Sequence, residues 1–254
     1  MNILISNDDG YKSSRLLMLK DILSLYGDVY ISAPLTQKSG SSVSLTIHEN
    51  VKYKVIDKNY IAIKGTPADS VSCGLGYFKD IEFDLVVSGI NFGYNTSKDT
   101  LYSGTVGAAI IGAFNGIKTI ALSAQYEDDP YLYDKASFII DYIFKNKLLD
   151  IAPLLNVNIP KGEAKGIKVG RIYPIPINDY VIKFKDSFLQ ARDLSQEKLL
   201  DDSDLYLVEN GYYAISAMKP SLEDNELNNK LMEIIKWVIS IIVFILIHID
   251  VDTL

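Results

Sequence analysis

The chain is poor in the residues that many enzyme classes depend on. It has one cysteine, Cys73, among 254 residues. No internal disulfide can form, which suits a reducing, cytoplasmic location. Cys73 itself sits in a small apolar run, SVSCGLGYF, and reads as a buried small residue. Only two histidines are present, His48 and His248. That excludes a multi-histidine metal site, and a Ser-His-Asp triad would have to use His48 without any elbow motif in support. Basic residues are also in deficit: 25 Lys and Arg stand against 32 Asp and Glu, a net charge of -7. A basic nucleic-acid-binding face is not expected, so no stable nucleic-acid partner is. An anionic substrate would need local help from a metal or a helix start. The first residues, Met1–Ile5, are too short and lack the basic start of a secretory leader. The one long apolar run, Trp237–Ile249, falls short of the roughly 18 to 20 residues that span a bilayer. Asp250 and Asp252 follow it directly, and it reads as a buried or intersubunit element with no membrane expected.

What is present is an alternation of short apolar runs and helical patterns. Strands are expected at Asn2–Ser6, Val29–Ala33, Leu85–Ser88 and Thr119–Ser123, with excursion strands at Leu45–Ile47, Val51–Ile56 and Tyr60–Ile63. Helical spacing covers Arg15–Leu25, Ser103–Gly116 and Tyr133–Phe144. A further helix starts at Gly65–Val71, where Thr66 suits the N-cap and Pro67 the first turn. Later runs, Leu155–Ile159, Ile167–Ile172, Val181–Phe184 and Tyr206–Val208, read as strands joined by polar loops. The fold class expected is α/β: a mostly parallel sheet covered by helices, followed by a more extended, β-richer C-terminal part; the family resemblance set out below implies that the core is Rossmann-like and that the extension is used in oligomerisation. Residues 1–150 are expected to form the α/β core and 151–254 to complete it; the same resemblance implies that the first part is catalytic and that the second makes oligomer contacts.

Ligands of open α/β sheets bind outside the carboxyl ends of the strands. Three polar loops fall there: Asn7, Asp8, Asp9 and Gly10; Ser39 and Gly40; and Ser88, Gly89, Asn91 and Asn95. Two carboxylates, a hydroxyl and an amide oxygen drawn from them are hard oxygen donors, suited to Mg²⁺ or Mn²⁺. A dication would also offset the repulsion between adjacent Asp8 and Asp9. Opposite them, Ser103, Gly104 and Thr105 open a helix, whose free N–H groups and positive dipole end suit a phosphate.

The order of NDDG (Asn7–Gly10), Ala33-Pro34 with Ser39–Ser42, GTPADSV (Gly65–Val71), VSGINFGYN (Val87–Asn95) and YSGTVGAA (Tyr102–Ala109) resembles the survival protein SurE nucleotidases. Later pieces, Asn156–Pro160, Gly166–Ile172 and Asp204–Ser216, are similar too, so the likeness covers roughly residues 1–220. The resemblance implies a metal-dependent hydrolase of nucleoside 5′- and 3′-monophosphates, releasing nucleoside and phosphate. It implies one divalent ion per subunit, Mg²⁺ or Mn²⁺, and a homodimer or homotetramer. Matching positions make Asp8, Asp9, Ser39 and Asn91 the metal ligands, with Asp8 and Asp9 catalytic as well. Asn95, Ser103, Gly104 and Thr105 would hold the phosphate. The chain departs from the family where Tyr11–Leu16 replaces an Ala-Pro-Gly-Ile type segment, at Lys38, where arginine is usual, and in the apolar tail beyond Pro220.

The alternative from another class is a non-catalytic nucleotide- or metal-binding sensor, against which the intact acid pair, Ser39 and Asn91 argue. A phospho-aspartyl phosphatase would space its aspartates as Asp-x-Asp; these are adjacent. A dinucleotide-binding oxidoreductase would carry G-x-G-x-x-G after the first strand, which is absent.

Overall fold

The computed structural model describes residues 1–173, 178–193, 199–220 and 225–248. Two compact units emerge, Met1–Lys219 and Pro220–Leu254. The first is built on a nine-stranded sheet. In chain order its elements are β1 (Asn2–Ser6), α1 (Ser14–Leu23), β2 (Asp28–Pro34), β3 (Tyr53–Asp57), β4 (Tyr60–Ile63), α2 (Pro67–Tyr77), β5 (Leu85–Phe92), α3 (Asp99–Tyr102), α4 (Gly104–Phe114), β6 (Lys118–Ala124), α5 (Leu132–Lys145), α6 (Leu148–Ile151), β7 (Leu154–Ile159), β8 (Gly166–Val169), β9 (Asn178–Lys183), β10 (Phe188–Asp193), α7 (Asp204–Glu209) and β11 (Tyr212–Ala217).

The sheet runs β3-β4-β2-β1-β5-β6-β7-β11-β8, and β9 and β10 form a separate antiparallel hairpin. Pairing from β4 through β7 is parallel throughout. The edge strand β3 and the β7–β11 pair are antiparallel. From β1 the chain moves outward to β2, then returns to place β5 on β1's other side. That reversal is a topological switch point, where strand ends part and leave a crevice.

Strand alternation sorts the core into two layers. Ile3 and Ile5 of β1 point to one face, packing with Leu16, Leu19 and Ile22 of α1 and Ile139, Ile140 and Ile143 of α5. Leu4 points to the other, toward Ala68 and Val71 of α2 and Ala108 and Ile111 of α4. All of these are buried, and each large aliphatic contributes about 1.5–3 kcal/mol by leaving water. Helix α2 begins as its residues dictate: Thr66 accepts the Asp69 N–H while the Asp69 carboxylate accepts the Thr66 N–H, with Pro67 in the first turn.

Three sequence expectations are revised. Leu45–Ile47 is not a strand. The Thr46 N–H and hydroxyl both donate to the Asp69 carboxylate, at 2.8 and 2.7 Å, so this backbone is spent on the α2 cap rather than on a ladder. Tyr206–Val208 lies in helix α7, because the Ser203 hydroxyl caps the turn by accepting the Tyr206 N–H, and Leu207 and Val208 turn inward. The strand expected to end at Ser88 continues through Phe92.

In the second unit the apolar tail lies within helix α8 (Asn225–His248), whose side chains from Leu231 to Ile239 are exposed. It is not a buried element up to that point, and the end of the tail, Ile249, lies outside the described residues. Among the described residues no helix is long and apolar enough to cross a membrane.

Candidate active site

The turn after β1 is closed by its own asparagine. Buried Asn7 accepts the Gly10 N–H at 3.2 Å and donates to the Gly10 carbonyl at 3.1 Å. Bridging the turn, it leaves Asp8 and Asp9 side by side at the end of the strand. Asp8 faces α4: the Thr105 hydroxyl donates to Asp8 Oδ1 at 2.8 Å. Asp9 faces a cleft of about 350 Å³ lined also by Ser13, Ser14, Gln37, Phe92 and Tyr126.

Both carboxylates sit in unfavourable surroundings. Burial pushes Asp8 above the usual carboxylate range, against the pull of the Thr105 hydroxyl and its own backbone. Burial, then the neighbouring Asp8 charge, push Asp9 up to about 6, opposed by the Phe92 N–H and Arg15. Asp9 Oδ2 is buried with no hydrogen-bond partner in the protein. An anionic pair with an orphaned oxygen is a site short of positive charge.

The second loop reaches the pair through its backbone, as the Lys38 N–H donates to the Asp8 carbonyl at 2.7 Å. Ser39 follows, exposed, its hydroxyl accepting from the Gln37 amide at 3.1 Å. Asn91, at the end of β5, is 8% exposed and donates its amide N–H to the Gly93 carbonyl at 2.8 Å, which leaves its side-chain oxygen for another partner. The loops bearing Asp8, Asp9, Ser39 and Asn91 therefore border one crevice at the β1/β5 switch point.

Helix α4 starts beside Asp8. Ser103 caps it by accepting the Val106 N–H at 3.1 Å. The N–H groups of Gly104 and Thr105, at the helix start, have no carbonyl one turn behind them. A side chain at Gly104 could not be fitted: its Cβ would lie 2.6 Å from Ser41 Oγ and 3.0 Å from the Asp8 Cβ. The Thr105 hydroxyl is committed to Asp8, so what Thr105 can offer a phosphate is its backbone N–H. Asn95 is tied inward. Its N–H donates to Asn158, its side-chain amide to Ser123, and its carbonyl accepts from Asn156 and Asn158.

Other residues at the site carry no motif of their own. Ser41 Oγ is buried without a partner beside Gly104, a hydroxyl at the phosphate side. Arg15 is 3% exposed; it donates to the carbonyls of Asn91, Gln125 and Glu127 and stacks 3.8 Å from the Phe92 ring centre. It stands in the Tyr11–Leu16 segment that departs from the resembled family, which is the one sequence signal that pointed here. His48 is exposed and lies outside any helix or strand. Among the described residues no group of three or more His, Cys, Asp or Glu could hold a metal.

A parallel α/β sheet with an acid pair and a helix start at one switch-point crevice places the chain among the open-sheet α/β proteins, a class that binds its ligands at the strand ends. The family model for survival protein SurE matches residues 3–176, and the chain belongs to that family. It is 37% identical over 233 residues to a 5′-nucleotidase SurE of Petrotoga mobilis, covering 86% of this chain and 92% of the relative. It is 35% identical over 233 residues to a 5′-nucleotidase SurE of Clostridium botulinum, with the same coverage. The crystal structure of the SurE protein from Aquifex aeolicus superposes with a TM-score of 0.79 at 33% identity, covering 94% of this chain and 99% of that one.

Proposed function

We propose that the protein is a nucleotidase that hydrolyses the phosphomonoester of nucleoside 5′-monophosphates, and of 3′-monophosphates, to nucleoside and phosphate. The observation that carries this is the Thr105–Asp8 bond, which joins the acid pair to the start of α4. The same crevice thus offers carboxylates for a reacting water and backbone N–H groups for the phosphate oxygens. The names of the relatives support the same activity.

The donor set fits a hard divalent ion: two desolvated carboxylates, one with an orphaned oxygen, beside a hydroxyl and an amide oxygen. Asp8, Asp9, Ser39 and Asn91 would hold Mg²⁺ or Mn²⁺. Bound there, such an ion supplies Lewis-acid polarisation of a phosphoryl oxygen. The chain's own residues do the rest. Gly104 and Thr105 N–H groups, with the Ser103 and Ser41 hydroxyls, take the charge that grows on the equatorial oxygens. Thr105 holds Asp8 in one rotamer. Asp9, which borders the open cleft, is the group placed to accept a proton from the attacking water.

Exposed apolar residues on the β9–β10 hairpin, Val181, Phe184, Phe188 and Leu189, together with those of α8, support self-association as a homodimer or homotetramer. The lone Cys73 supports a cytoplasmic location. The test of the activity is a panel of nucleoside monophosphates assayed for phosphate release with Mg²⁺ or Mn²⁺. Release from adenosine monophosphate is expected; specific binding without release would instead support the sensor reading.

A further inference from the structure

Beside the acid pair, on the face away from α4, the cleft is walled by two aromatic rings. Phe92 and Tyr126 stand 6.2 Å apart between centroids at 63°, forming an open corner. Tyr126 is 75% exposed and so is free to meet a ligand. Phe92 is not free to turn: the Arg15 guanidinium lies 3.8 Å from its ring centre. Arg15 in turn binds the carbonyl of Asn91 next to Phe92, and those of Gln125 and Glu127 on either side of Tyr126. One buried side chain therefore fixes both segments that carry the rings.

We propose that the Phe92–Tyr126 corner is the seat of the nucleobase, with the purine or pyrimidine plane stacked on Tyr126 and meeting Phe92 edge-on, and its own edge met by Gln37 and Ser13. This rests on the nucleotidase reading and names the part of the substrate that the corner recognises. Its chemistry selects a flat, uncharged group. Aromatic faces stack on any base without regard to its sequence of donors and acceptors. Ser13 Oγ is buried without a partner, and the Gln37 amide can both donate and accept. No lysine or arginine is among the residues lining the cleft, while Asp9 is. Because Asp9 borders both the cleft and the acid pair, a ligand whose phosphate rests on α4 can cross the strand ends and place its base here.

The test compares adenosine monophosphate with β-glycerophosphate, which has a phosphomonoester and no base. In Tyr126→Ala, kcat/KM for the nucleotide falls about tenfold relative to kcat/KM for β-glycerophosphate, mostly through KM. Tyr126→Phe, which keeps the ring, restores the ratio. An unchanged ratio in Tyr126→Ala, or a Phe variant as poor as the Ala variant, overturns the seat. Adenosine alone is titrated in parallel by ligand-observed NMR. If neither substrate is hydrolysed by the wild-type protein, the nucleotidase reading fails and the titration decides the seat. Adenosine binding that weakens about tenfold in Tyr126→Ala supports it, and binding that is absent or indifferent to the substitution overturns it.

Discussion

The Thr105 hydroxyl donates to Asp8 Oδ1 at 2.8 Å, across 97 residues of sequence. Both groups are buried. The bond holds the first acid of the pair against the helix that faces it. Thr105→Val keeps the shape and removes the donor. An unmatched buried carboxylate oxygen costs about 1–3 kcal/mol, so the unfolding free energy measured by urea titration should fall by that amount. Turnover of adenosine monophosphate should fall with it, roughly tenfold or more, while Thr105→Ser retains both. A Val variant with wild-type turnover would show that Asp8 needs no such clamp.

Asp8→Asn separates catalysis from stability. Hydrolysis should drop by roughly a hundredfold or more. The fold should not weaken at pH 8, because the change removes a desolvated charge and its repulsion from Asp9. Chelation with EDTA should likewise silence the wild-type protein, and Mg²⁺ or Mn²⁺ should restore it. Activity that survives exhaustive chelation would remove the ion from the account.

Arg15 bonds to the carbonyls of Asn91, Gln125 and Glu127 at 2.9, 2.9 and 3.2 Å. Arg15→Met fills similar space and leaves these acceptors without their donors. A loss of about 2–4 kcal/mol is expected by chemical denaturation. Arg15→Lys should not recover it, since a single ammonium cannot span the planar fork. A lysine variant as stable as the wild type would contradict the bridging role.

Asp204 gives a pH signature. It is fully buried at the start of α7, accepting the Ser97 and Leu205 N–H groups, yet burial pushes its carboxyl up to about 6. The folded state then holds this proton more tightly than the unfolded chain does. Its contribution to stability therefore falls as pH rises from near 4, the unfolded value, through 6. The span is roughly 2–3 kcal/mol. Asp204→Asn removes this dependence, so thermal melts of the variant should improve relative to wild type as pH is raised from 4 to 6.5. A constant difference across that range would rule it out.

Most of what could be read in advance was local. Thr66, Pro67 and Asp69 announce a helix start because the cap is made by residues three apart. The turn at Asp8 and Asp9 and the small-residue opening of α4 are equally short-range. Two errors have the opposite origin. Thr46 bonds to Asp69, and the Ser203 cap turns a short apolar run at Leu207 and Val208 into a helix. A run of that length looks the same in either state. The wall made by Arg15, Phe92 and Tyr126 was illegible because it joins α1 to the ends of β5 and β6. Its only trace in the sequence was an unusual segment after the acid pair.

The loop that carries Asn95 is fastened by partners made much later in the chain. Asn156 and Asn158 of β7 hold the Asn95 backbone, and Asp204 holds the Ser97 N–H. A nascent chain halted after β6 would own every residue of the acid pair and of the α4 start, yet lack the struts beneath the loop between them. Competence therefore arrives late in synthesis, once Asp204 has left the ribosome, and fragments ending before that point should be inert whatever motifs they contain.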